Sequence, residues 1–188
     1  MYRLNIMENT KSILSHADEM RLTYLGAVPH TLFTSFIWFI SGLLGTYSKP
    51  TAILFFIIGG TFIFPGGELL RKLMQAPNCI SRENKLKQFF MLLAFTIPLS
   101  YPLVYLAIQA NVNYFFPAFM ILIGAHYLPF VFGYRMKTFA LLSILLVILG
   151  TIISVVYPMS FSIPAYLTSA VLLLFAIIHF IKIKNEII

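Results

Sequence analysis

The stretch TFALLSILLVILGTIISVVY, residues 138–157, has no charged side chain and no proline, and its only polar side-chain atoms are the hydroxyls of Thr138, Ser143, Thr151, Ser154 and Tyr157. As a helix rising about 1.5 Å per residue, a run of this length crosses the roughly 30 Å hydrocarbon core of a bilayer. A barrel strand would alternate in polarity, and this run does not. Only a helix keeps every backbone polar group paired away from water, where an unpaired one costs several kcal/mol, so the run predicts a transmembrane helix.

Five more runs of the same character flank it, at 27–46, 51–74, 88–109, 112–134 and 163–181. Across all 188 residues, 60% are hydrophobic, 10% are charged and the mean hydropathy is +0.90, which excludes an ordinary soluble domain. The sequence therefore predicts an all-α integral membrane fold, a six-transmembrane-helix bundle in one domain over 26–182. Before it, the polar segment 1–25 carries Ile13, Ala17, Met20 and Tyr24 at helical spacing, which predicts an interfacial amphipathic helix. No short apolar core with a cleavage site precedes the first span, so that span is expected to act as the insertion signal. Residues 183–188 form a short tail.

Charge sets the orientation. Arg3, Lys11 and Arg21 precede the first span; Arg71, Lys72, Arg82, Lys85 and Lys87 lie around the gap between spans two and three; Arg135 and Lys137 separate spans four and five; Lys182 and Lys184 follow span six. Twelve of the thirteen basic residues thus fall on one side, and only Lys49 lies opposite. The positive-inside rule puts both termini in the cytoplasm. Because the net charge of +7 is spread over four segments rather than one folded face, it is explained by topology and gives no reason to expect nucleic acid as a partner. The expected partners are the lipid bilayer and a small-molecule ligand. Homo-oligomerisation stays open, since no glycine pair at spacing four marks a dimer face. The single cysteine, Cys79, is expected as a free thiol in a reducing compartment.

Polar groups inside the spans are the candidates for function. In span two the run Phe64-Pro65-Gly66-Gly67-Glu68 joins a proline, which removes a backbone donor, to two glycines that weaken a helix. A helix break at Pro65, Gly66 and Gly67 is expected, placing Glu68 in the first turn of a new half-helix, as in the discontinuous helices of transporters. The competing reading is a plain kink with Glu68 beside Arg71 and Lys72 at headgroup level. His126, nine residues before Arg135, is the deepest ionisable group; with His30, Glu68 and neighbouring Tyr127 it defines a candidate cytoplasm-facing polar pocket. His179, three residues before Lys182, is expected to snorkel to the membrane surface. Pro98, Pro102 and Pro129 bend spans three and four, whereas span five reads as a lipid-facing wall.

No zinc-binding His-Glu-x-x-His, no Gly-x-Ser-x-Gly, no phosphate-binding glycine loop and no paired cysteines occur, so no catalytic residues, metal or cofactor are assigned. Three strings, Phe36–Gly45, Ile58–Gly67 and above all Gly124-Ala125-His126-Tyr127-Leu128-Pro129-Phe130, resemble an uncharacterised family of small bacterial multi-pass membrane proteins, over roughly residues 20–157. The resemblance implies a bacterial inner-membrane setting and a compact helical domain, and brings no activity with it. Two functions are carried forward. The first is binding or movement of a small solute through the polar pocket. The alternative is a non-transporting structural or regulatory protein that presents its N-terminal helix and the 75–87 loop to a partner.

Overall fold

A computed structural model describes residues 16–187; Ile13 and the rest of 1–15 lie outside the described residues. All regular structure among the described residues is helical. Helix α1 covers 16–23, followed by α2 (Val28–Tyr47), α3 (Lys49–Thr61), α4 (Ile63–Leu73), α5 (Leu86–Leu99), α6 (Tyr101–Ala110), a 3-10 turn (Val112–Tyr114), α7 (Phe115–Tyr127), α8 (Phe130–Gly133), α9 (Thr138–Val156) and α10 (Ile163–Ile187). Five stretches are long and apolar enough to cross a membrane: α2, Leu86–Ala110, Val112–Gly133, α9 and most of α10. A sixth arises if α3 and α4, bent by 59° at their junction, count as one.

The bend shows how local sequence chemistry acts one turn away from its source. Pro65 has no N–H to offer the carbonyl of Thr61, and its ring crowds that same carbonyl four residues back. The chain accordingly turns at Phe62 and α4 starts at Ile63. Pro65, Gly66 and Gly67 lie within α4 rather than at a break, and Glu68 sits in its second turn, not its first. The two glycines serve a different purpose. A Cβ on Gly67 would lie 2.3 Å from the His30 ring, and one on Gly66 2.3 Å from the Phe33 ring, so the bare backbone of α4 is the surface on which α2 rests.

Helix α2 is the hub. Ser48 alone separates it from α3 and caps α3, its hydroxyl accepting from the backbone N–H of Thr51. Against α10 it is fastened by a reciprocal pair: Ser35 Oγ donates to the Ser169 carbonyl at 2.9 Å, and Ser169 Oγ donates back to the Ser35 carbonyl at 2.8 Å. Trp38, fully buried, packs edge-on against Phe56 of α3 at 4.8 Å and beside Phe116 of α7 at 5.6 Å, centring an aromatic core that continues through Phe115 and Phe119.

The expectation that residues 138–157 form a wall towards lipid is only half correct. Phe139, Leu142, Ser143, Leu146, Gly150 and Ile153 of α9 are buried, packed on α7, while Leu141, Ile144, Ile148 and Val155 are exposed. A helix apolar all round carries no amphipathic signal, because its lipid face and its protein face look alike. Small residues mark the contact instead: a Cβ on Gly124 would lie 2.9 Å from the Ser143 carbonyl, and one on Gly150 2.9 Å from Ile121. The rod formed by α5 and α6 is the one that stands apart, with 6% of its most apolar window buried.

At the basic end, α1 is clasped by other segments. Its Ala17, Met20 and Thr23 are buried. Glu19 Oε2 accepts from the backbone N–H of Ser81 at 3.0 Å, the Ser81 hydroxyl at 2.9 Å and the Asn84 amide at 2.8 Å. Burial pushes the Glu19 carboxyl up, but these donors outweigh it and hold the group below its usual value. Asn84 also donates to the His16 carbonyl, Cys79 N–H to Thr23 Oγ1, and Arg135 pairs with Asp18 at 3.0 Å. Between α1 and α2, Leu25, Gly26 and Ala27 all take positive φ, at 48°, 58° and 65°. Gly26 takes that backbone conformation at the least cost of the three, and a Cβ there would also meet the Ile183 and Met136 side chains at 2.7 Å. At the opposite end Lys49 Nζ donates to Asn113 Oδ1 at 2.9 Å and Asn113 Nδ2 donates to the Pro158 carbonyl at 3.0 Å, tying three connections together.

Candidate functional site

The glycine surface of α4 determines what happens beside it. With Gly67 under its ring, His30 of α2 is brought to Glu68, the two facing each other at 3.9 Å between Nε2 and Oε1. That distance is too long for a hydrogen bond. Glu68 Oε2 is taken by Arg71 Nε at 2.9 Å, an i,i+3 pair on α4. Tyr24 closes one side, its ring edge-on to His30 at 5.5 Å and under the Arg71 guanidinium at 5.9 Å; Phe64 covers another at 5.7 Å from His30. The Tyr24 hydroxyl is pushed above its ordinary value by burial first and by the Glu68 charge second, with Arg71 opposing, so it stays a neutral donor.

The cluster is charge-balanced on one side and unsatisfied on the other. His30 Nε2 and Glu68 Oε1 are both buried and neither has a hydrogen-bond partner. A carboxylate oxygen left in this way forfeits a charge-assisted bond, normally among the stronger ones available to a protein. The two atoms therefore face each other across a distance too long to bond, each with its hydrogen-bonding capacity unused.

Of the four pocket residues expected from sequence, the structure joins His30 and Glu68. His126 is directed elsewhere: its Nδ1 lies 3.2 Å from Thr96 Oγ1 on α5, and its ring packs on Phe130 at 5.3 Å. Tyr127, the next residue, turns to another face of α7 and is buried, stacked on Phe139 at 6.0 Å with its ring edge-on to that of His126 at 6.2 Å. Neighbours in sequence on a helix diverge by about 100°, which is why one points inward and the other towards α5. His179 does not snorkel. It is fully buried, its Nε2 2.8 Å from Thr138 Oγ1 and its ring 4.4 Å from that of Phe139. Among the described residues no group of three His, Cys, Asp or Glu side chains is arranged to hold a metal.

Arg71 was visible beforehand from its spacing to Glu68. Tyr24 showed only as part of the helical spacing of the segment before the first span, and Thr96 and Thr138 carried no signal, because a lone threonine in a span looks the same whether its hydroxyl serves its own helix or a neighbour.

The chain belongs to a family of unknown function, DUF7010, whose profile matches residues 15–182. The match takes in more at both ends than the three strings noted above, including α1 and nearly all of α10. No curated protein and no solved structure matches the chain.

Proposed function

We propose that this chain is a six-span bacterial inner-membrane protein, with both termini cytoplasmic, that binds a small polar solute through the site at His30 and Glu68. The bent pair α3 and α4 counts as one span in this reading, which then alternates every basic cluster to the same side. The observation that carries the binding function is the pair of buried, unpartnered atoms, His30 Nε2 and Glu68 Oε1, set 3.9 Å apart next to a helix bend. An ionisable group inside a span is costly enough to need a return, and a solute bearing an N–H or O–H donor supplies it. The alternative, in which α1 and the 75–87 loop serve an outside partner, has those two segments already engaged with each other through Glu19, Ser81 and Asn84.

Water access tests the reading. Diethyl pyrocarbonate added to inside-out vesicles should modify His30, and added to right-side-out vesicles should not. Complete protection of His30 from both sides, together with no amino acid, amine or sugar of a panel raising the thermal stability of the unmodified protein, returns the cluster to a purely structural role. Reporter fusions at Tyr47, Asn111 and Met159 should all read as periplasmic.

A further inference from the structure

The rod α5–α6 rests on α7 but stands away from α3, and the gap between them is an apolar cleft of about 200 Å³. Its walls are Ile53 and Ile57 of α3, Val104 and Ile108 of α6, and Phe115 and Phe119 of α7. On α3 the lining residues continue a single stripe: Lys49, Ile53 and Ile57 fall at i, i+4 and i+8, so they share one face of the helix. Lys49 lies one turn beyond the lining residue Ile53, with its ammonium on Asn113, two residues before the lining residue Phe115. It is the one basic residue at this end of the molecule, half-buried, held in place by Asn113 and by the Phe161 ring 5.7 Å away. An ammonium has three donors, and Asn113 uses one of them.

A void lined by aliphatic and aromatic groups and open towards the bilayer takes hydrocarbon, not water. A fixed cation one turn beyond its wall adds a demand for negative charge at headgroup height. We infer that this cleft is a binding site for an anionic glycerophospholipid, with one acyl chain between α3 and α6 and the phosphate on Lys49. The site, on α3, α6 and α7, is separate from the His30 cluster on α2 and α4 and carries no implication for it. Charge complementarity favours this occupant over a second copy of the chain, because α6 offers no acidic side chain to meet Lys49.

The protein contains its own reporter. Trp38 is the only tryptophan, is shielded from surrounding lipid, and contacts Phe56, which in turn packs on the cleft residues Phe115 and Phe119. Bromine atoms on an acyl chain quench tryptophan over short range, so a chain in the cleft should reach Trp38 where annular lipid does not. The full chain, reconstituted in phosphatidylcholine vesicles, is titrated with either dibrominated phosphatidylglycerol or dibrominated phosphatidylcholine. The expected result is half-maximal quenching at about fivefold lower mole fraction of the anionic lipid, the preference one lysine confers near a membrane surface. Lys49→Gln should abolish the preference and leave the residual quenching by both lipids. Filling the cleft by Ile57→Phe, or from the other wall by Ile108→Phe, should reduce quenching by both, with an unshifted emission maximum showing that the Trp38 surroundings are intact. Equal quenching of the unmodified protein by the two lipids, a preference that survives Lys49→Gln, or the absence of quenching that a second copy seated in the cleft would cause, each overturns the inference.

Discussion

Helix α2 and the α5–α6 rod are both long enough to cross a bilayer, yet half of the most apolar window of α2 is buried and only 6% of that of α5–α6. The more buried helix is the less apolar one. In water the order would be reversed. Where the surrounding solvent is hydrocarbon, an apolar side chain gains little by turning inward, and what draws helices together is close packing of small residues and hydrogen bonds that lipid cannot provide. Buried Thr31, Thr34, Ser35 and Ser41 of α2 follow this rule; Ser35 bonds across to α10, while Thr34 and Ser41 return their hydroxyls to carbonyls four residues back. On α5–α6 the large side chains Leu92, Leu99 and Leu103 are all more than two-thirds or close to two-thirds exposed.

The contrast breaks or holds under four substitutions, each measured as unfolding free energy in detergent micelles. The largest effect is expected at Trp38→Ala, about 3 kcal/mol, since the cavity it leaves touches three helices and the unfolded helices regain little from lipid. Gly67→Ala should follow at about 2 kcal/mol, because the added carbon displaces the His30 ring; His30→Ala in the same chain should recover most of that loss, which separates a packing effect from a helix-propensity effect. Ser35→Ala is expected to cost about 0.6 kcal/mol, and the double change with Ser169→Ala should cost less than the sum of the two singles. Leu103→Ala should alter stability by about 0.5 kcal/mol or less. A loss at Leu103 approaching that at Trp38 would mean that α5–α6 is buried in the working protein by something other than lipid.

What the sequence reveals follows from the same physics. That the chain is helical, with five or six stretches long and apolar enough to cross a membrane, is legible from run length and composition, and the break in residues 51–74 was foreseeable from Pro65, though its position at Phe62 required counting back to the carbonyl that proline disturbs. Rotational setting was not legible. Residues 138–157 give no hint that Phe139 and Leu146 face protein while Leu141 and Ile148 face outward, as all four are equally at home in hydrocarbon. The site was half legible for a related reason: an ionisable residue in a span announces that it has a partner without naming it. The structure sets His30 beside Glu68, whereas His126 and His179 each found a threonine, Thr96 and Thr138, that no charge or spacing singles out.

The lone residue between α2 and α3 bears on how the chain is made. Ser48 leaves no slack for the two helices to enter the bilayer at separate times, so under the six-span proposal they pass the insertion machinery as a preformed hairpin. Lys49 lies at its tip and must be carried across with it, and the combined apolar bulk of the two arms supplies the driving force for moving that one positive charge to the far side.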